Sequence, residues 1–155
     1  MTSPSPPTTT NLEWLVRTIP LGGLAVAVAR LRFRVHFLTA LPGSRAMAEW
    51  CWLDTAAPLS VIPFSVHSQG LAWRPLSGVR TTWAGQPCAV GHIDIWLPTT
   101  DASGLRGPFS LLAKFPQSDS PGVPTPILLG LEFLLAYQAS LALWPPPRQG
   151  VLQIP

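Results

Sequence analysis

The segment Arg30-Leu31-Arg32-Phe33-Arg34-Val35-His36-Phe37 alternates basic and apolar side chains without a break. A period of two puts Leu31, Phe33, Val35 and Phe37 on one side of an extended chain and the three arginines with His36 on the other. A helix would scatter both sets around its axis. The segment is therefore a half-buried strand with one basic face, which is either plain solvated surface or a place for an anionic ligand. Met47–Leu53 is a second apolar strand, and Leu41-Pro42-Gly43-Ser44 between the two has turn chemistry, so residues 30–53 form a hairpin.

Composition extends the β reading to the whole chain. Charged residues make up 11%, against roughly 25% in ordinary domains, too few to clothe the outer faces of a helical bundle. Nineteen prolines in 155 residues favour short strands joined by turns. Seven tryptophans supply apolar area for a real core. Further strands are expected at Trp14–Ile19 and Leu24–Ala29 around the turn Pro20–Gly23. A Val79–Leu97 hairpin turns at Ala84-Gly85-Gln86-Pro87, and Phe109–Phe115, Ser140–Trp144 and Val151–Ile154 are strands as well. Polar turn clusters stand at Thr99–Gly107 and Gln117–Pro126, and Pro145-Pro146-Pro147 breaks the chain after Trp144. Two short helices are expected, Pro63–Gln69 ending at Gly70, and Leu131–Tyr137 with Glu132 in its first turn. The expected organisation is a flexible Ser/Thr/Pro-rich tail at residues 1–11 and one mostly β domain over 12–155.

Several function classes fall away. The net charge of +3 comes from nine arginines and Lys114 spread along the chain, with no basic run and no nucleic-acid motif. The longest apolar runs fall short of the roughly 18 residues a membrane span needs, and the tail has no apolar stretch of a secretory signal. A cytoplasmic protein is the expectation. Cys51 sits in an apolar run and reads as a small packed residue; with Cys88 it makes no disulfide framework. His36, His67 and His92 have no metal-ligand spacing, and no phosphate-binding or serine-hydrolase motif occurs, so no metal or cofactor is expected.

One stretch carries candidate chemistry: Trp52-Leu53-Asp54-Thr55-Ala56-Ala57-Pro58-Leu59-Ser60-Val61-Ile62-Pro63. An apolar strand runs into Asp-Thr and two small residues, and an apolar strand resumes. An acid at such a place is either a turn residue bonding nearby amides or a partly buried functional carboxylate. Much further along, Pro126-Ile127-Leu128-Leu129-Gly130-Leu131-Glu132-Phe133-Leu134 joins an apolar strand, a glycine and a short helix.

Together, in this order, the two motifs resemble those of the retropepsin-like aspartic peptidases, cellular and bacterial members included, over residues 24–144. The resemblance implies a single-lobe acid-protease barrel that hydrolyses peptide bonds. It makes Asp54 the catalytic carboxylate and Thr55 the residue whose hydroxyl holds two active-site loops together. Ala56 and Ala57 would line the substrate channel, and Leu129 with Gly130 would support the loop from below. The hairpin around Trp83-Ala84-Gly85-Gln86 is the candidate flap over a bound peptide, with Ala72–Gly78 as the alternative.

Such chemistry needs two carboxylates sharing a proton, and Glu13, Glu49, Asp94, Asp101, Asp119 and Glu132 all lack the motif context. A second Asp54 must then come from another copy of the chain, in a two-fold homodimer, and Ser140–Trp144 is the candidate dimer strand. One position departs from the pattern: Ala56 stands where the family has glycine, a residue that lets substrate backbone approach closely. The alternative reading is therefore an inactive peptide-binding or interaction domain on the same scaffold.

Overall fold

A computed structural model of the chain describes residues 6–39, 46–101, 104–122, 125–144 and 146–155. The expected turn at Leu41–Ser44, the first five residues, Pro145 and parts of the two polar turn clusters lie outside the described residues. The described chain is mostly β, with ten strands and two short helices. They run β1 (Thr8–Leu21), β2 (Leu24–Leu38), β3 (Ala46–Leu53), β4 (Ser60–Val61), α1 (Phe64–His67), β5 (Trp73–Trp83), β6 (Gln86–Pro98), β7 (Leu105–Pro116), β8 (Ile127–Leu129), α2 (Leu131–Ala136), β9 (Ser140–Trp144) and β10 (Gln149–Ile154). All strands join one sheet in the order β5-β6-β7-β4-β8-β3-β2-β1-β10-β9. A further pairing of His36 on β2 with Trp96 on β6 curls the sheet back on itself.

The alternation of Arg30–Phe37 becomes burial. Phe33, Val35 and Phe37 are almost wholly enclosed, while Arg34 faces outward. On β6, Ile93, Ile95 and Leu97 do the same. With Cys51, Ile62, Leu111, Phe115, Ile127, Leu129 and Phe133 they form one continuous core inside the curled sheet. Burial pushes the Cys51 thiol pKa well above its ordinary value, so it is an inert packing residue.

Several boundaries differ from expectation. Thr8–Asn11, expected in the tail, are strand: Thr8 through Glu13 pair with Ile154 through Gln149 of β10. Partners from the far end of the chain order a segment that local composition leaves loose. The expected strands Leu24–Ala29 and Arg30–Phe37 are one, because β2 runs unbroken alongside β1 and β3. The β1–β2 turn contracts to Gly22-Gly23, with Leu21 paired to Leu24. β7 starts at Leu105, inside the expected turn cluster, where Leu105 pairs with Pro98. Both helices are shorter at their C-termini than expected, and Pro63 caps α1 from outside with φ −60° and ψ 155°.

Two parallel pairings position the site: β3 with β8, and β4 with β7. Everything else in the sheet is antiparallel. β8 thus lies beside the end of β3, directly under the residues that follow it.

Candidate active site

β3 delivers Asp54 at its C-terminal end, and β8 fixes its height. Leu53 is level with Leu129, and the Asp54 amide donates to the Leu129 carbonyl at 2.9 Å. The chain then turns tightly: the Ala57 amide donates to the Asp54 carbonyl at 3.2 Å. The Ala56 amide donates to Oδ1 of Asp54 at 3.1 Å. That leaves the half-buried carboxylate one oxygen without a bond among those described.

The loop rests on α2. The first two amides of that helix, Leu131 and Glu132, donate to the carbonyls of Ala57 and Pro58 at 2.8 and 3.1 Å. Helix-start amides lack intrahelical partners, so loop and helix satisfy each other. The Gly130 amide donates to Oγ of Ser60 at 2.9 Å, and Ser60 is wholly buried. A β-carbon at Gly130 would stand 2.6 Å from the carbonyl carbon of Leu59 and 2.8 Å from the Ala57 oxygen. Only glycine lets the two segments touch in this way.

Beside this loop opens a cleft of about 630 Å³, lined by Asp54, Thr55, Trp83, Trp52 and Arg30 among others. Three of the expected site residues, Asp54, Thr55 and Trp83, therefore meet there. Thr55 is exposed. Trp83 stands at the tip of the β5–β6 hairpin, paired with Gln86 across the two-residue turn Ala84-Gly85. Both turn residues have positive φ, 48° and 76°, the backbone twist that matches a tight hairpin. Lys114 Nζ donates to the Thr82 carbonyl at 3.1 Å and Ser118 Oγ to Oε1 of Gln86 at 2.9 Å, tying the tip to β7 and the loop after it.

The other expected residues do not line the cleft. Gly85 forms the turn beyond Trp83. Ala57 directs its carbonyl into α2. Ala56 is exposed and does not have a positive φ, so alanine costs no backbone strain at this position. Of the alternative flap, Ala72–Gly78, all but Ala72 lie in the first half of β5, with Gly78 in an irregular stretch between Pro75 and Arg80, and none of them lines the cleft. Arg30 and Trp52 also line the cleft and are not among the expected site residues. Trp52 is the next-to-last residue of β3, two positions before Asp54, a spacing that matches the period of two along an extended chain. Arg30 belongs to the basic face already recognised.

Asp54 is the one acid lining the cleft among the described residues. Glu13 is engaged by Arg32 at 3.0 Å and Asp94 by Arg74 at 2.8 Å. Asp94 is thus half-exposed and paired. Asp119 accepts from the Ser65 amide at 3.0 Å. Glu132 sits under the loop, and its carboxyl pKa is raised chiefly by burial. Among the described residues, no cluster of His, Cys, Asp and Glu is placed to hold a metal ion, and no helix is long and apolar enough to cross a membrane. Comparison of the sequence with protein-family models and with curated proteins finds no match.

Proposed function

We propose that the chain is one half of an aspartic-type endopeptidase of the retropepsin-like kind, acting on peptide or protein substrates as a homodimer. The observation that carries this reading is the Asp54 loop. A carboxylate is held at a fixed height by β8 and α2, with one oxygen tied to the loop and a cleft open beside it. A single such carboxylate is half of a catalytic pair. Two of them, brought together on a two-fold axis, cannot both ionise at close range, so they share one proton. The ionised partner draws a proton from a water, which attacks the scissile carbonyl. The protonated partner gives its proton to the carbonyl oxygen, forming a tetrahedral diol. The carboxyl that took the water's proton then passes it to the scissile nitrogen, the C–N bond breaks and the amine leaves. A diol hydroxyl returns its proton to the other carboxylate, restoring the shared proton.

Two further features support the dimer. β9 is the last strand of the sheet, and Leu141, Leu143 and Trp144 on it are 36%, 42% and 49% exposed. An apolar edge strand with a free hydrogen-bonding side invites a second strand, and Leu141 also lines the Asp54 cleft. β10 pairs with both β9 and β1 within the chain, so at this end of the sheet the outer side of β9 is the one left for a partner among the described residues. Trp83 at the hairpin tip is the flap residue that closes over bound peptide.

The test is hydrolysis of a denatured-protein or peptide library at mildly acidic pH, followed by mass spectrometry. Asp54→Asn keeps the size and the turn hydrogen bond but loses the acid–base function, and lowers the rate by about a thousandfold or more. Hydrolysis unchanged in Asp54→Asn overturns the assignment. An intact dimer that cleaves nothing at any pH overturns the enzyme reading and favours the alternative, an inactive peptide-binding or interaction domain.

A further inference from the structure

On one face of the β1–β2 hairpin, Leu15, Arg17 and Ile19 stand beside Val28 and Arg30, and with Trp52 they line a pocket of about 190 Å³. The register pairs Leu15 with Arg30 and Arg17 with Val28. Residues directly opposite share a face, and those two apart along a strand do too, so the two arginines are diagonal neighbours on one side of the sheet. Neither has a carboxylate partner among the described residues. Glu13, next along the same face, is taken by Arg32 at 3.0 Å. The Arg30 guanidinium lies 5.5 Å from the ring centre of Trp52, which holds it over an aromatic floor.

This pocket and the Asp54 cleft share a wall, since Val28, Arg30 and Trp52 line both. Asp54 is the sole acidic residue of either lining, and it faces the cleft. Two neighbouring cations with no counter-ion repel each other, and an anion between them relieves that repulsion while gaining charge-assisted hydrogen bonds. Ile19, Leu15 and Val28 suit the methylene stem of such a group. The small volume fits one side chain rather than a chain segment.

We infer that this pocket is a specificity subsite that takes an Asp or Glu side chain of the bound peptide, to one side of the bond facing Asp54. The inference rests on the peptidase reading for the word subsite, and on the Arg17–Arg30–Trp52 arrangement alone for the preference. Arg30 and Arg17 are specificity residues; they take no part in proton transfer.

The experiment compares kcat/KM for peptides cut from the library with matched peptides carrying Gln for Glu or Asn for Asp. Acidic residues are expected at one fixed position near the cleavage point. Their amide replacement should lower kcat/KM by roughly fivefold, given that the arginines are solvent-exposed. Arg30→Gln and Arg17→Gln each bring the acid-to-amide ratio towards one, Arg30→Lys keeps part of it, and high salt weakens it. Cleavage without acid enrichment, or a ratio unmoved by Arg30→Gln, overturns the inference and leaves the peptidase reading standing. If nothing is cleaved, a positional library of fluorescent octapeptides is titrated against the wild-type protein and followed by anisotropy. Arg30-dependent preference for Glu over Gln then keeps the pocket and removes the peptidase. Equal affinity for the two removes the pocket.

Discussion

A methyl group at position 130 has nowhere to go. The neighbours of a β-carbon there are the backbone of Leu59 and the carbonyl of Ala57, which cannot rotate aside as a side chain can. Gly130→Ala is therefore expected to destabilise the fold by about 3 kcal/mol, the upper part of the usual range for overpacking, measured by urea denaturation. A loss under about 0.5 kcal/mol would mean that loop and α2 are not clamped together as described. The same close contact explains what was legible at this scale. Asp54 and Gly130 were recognisable from the sequence because their chemistry is unusual for their setting, an acid after an apolar strand and a glycine between strand and helix. Ser60 was not: a serine in an apolar run gives no hint that its hydroxyl accepts the Gly130 amide. Arg30 and Trp52 were visible as strand residues, but which strands face the cleft depends on the β3–β8 pairing, a contact between distant segments.

At the scale of elements, β5 and β6 are pinned near the base of their hairpin by a two-bond contact. Arg74 donates from both terminal nitrogens to Asp94, at 2.9 and 2.8 Å. These hydrogen bonds hold the Asp94 carboxyl below its ordinary pKa. A carboxylate with a lowered folded pKa contributes stability that is complete above its unfolded pKa of about 3.9 and disappears as the pH falls through the folded value. Asp94→Asn should accordingly melt below the wild type at neutral pH, with the gap closing as the pH falls below the unfolded carboxyl value of about 3.9 and through the lower folded one. A gap that persists in acid would mean that the side chain acts by packing instead of charge. Alternation revealed the second half of β2 in the sequence, where buried and exposed positions differ, and turn residues beside apolar runs revealed β3 and β6. Strand ends were harder. β1 begins in Thr-Thr-Thr and β7 in Leu-Arg-Gly-Pro, segments whose strand conformation comes from β10 and β6 rather than from their own residues.

At the scale of the whole molecule, the cleft holds one acid among the described residues, Asp54. The chain closes one core and one Asp54 loop, and the exposed apolar edge of β9 sits at the end of the same sheet. The mostly β architecture was legible from few charges, many prolines and period-two strands. The order of strands was not, since sheet order depends on pairings between residues far apart in sequence, such as Thr8 with Ile154. One Asp54 from each of two chains per active site is a stoichiometry that subunit mixing reads out. Wild-type and Asp54→Asn chains are unfolded together in equal amounts, refolded, and assayed for peptide hydrolysis at fixed total protein. If both carboxylates are required, only pairs of two wild-type chains are active, and activity falls to about a quarter of the wild-type value. A fall to about one half would mean that each chain carries a complete site of its own, and would contradict the shared pair.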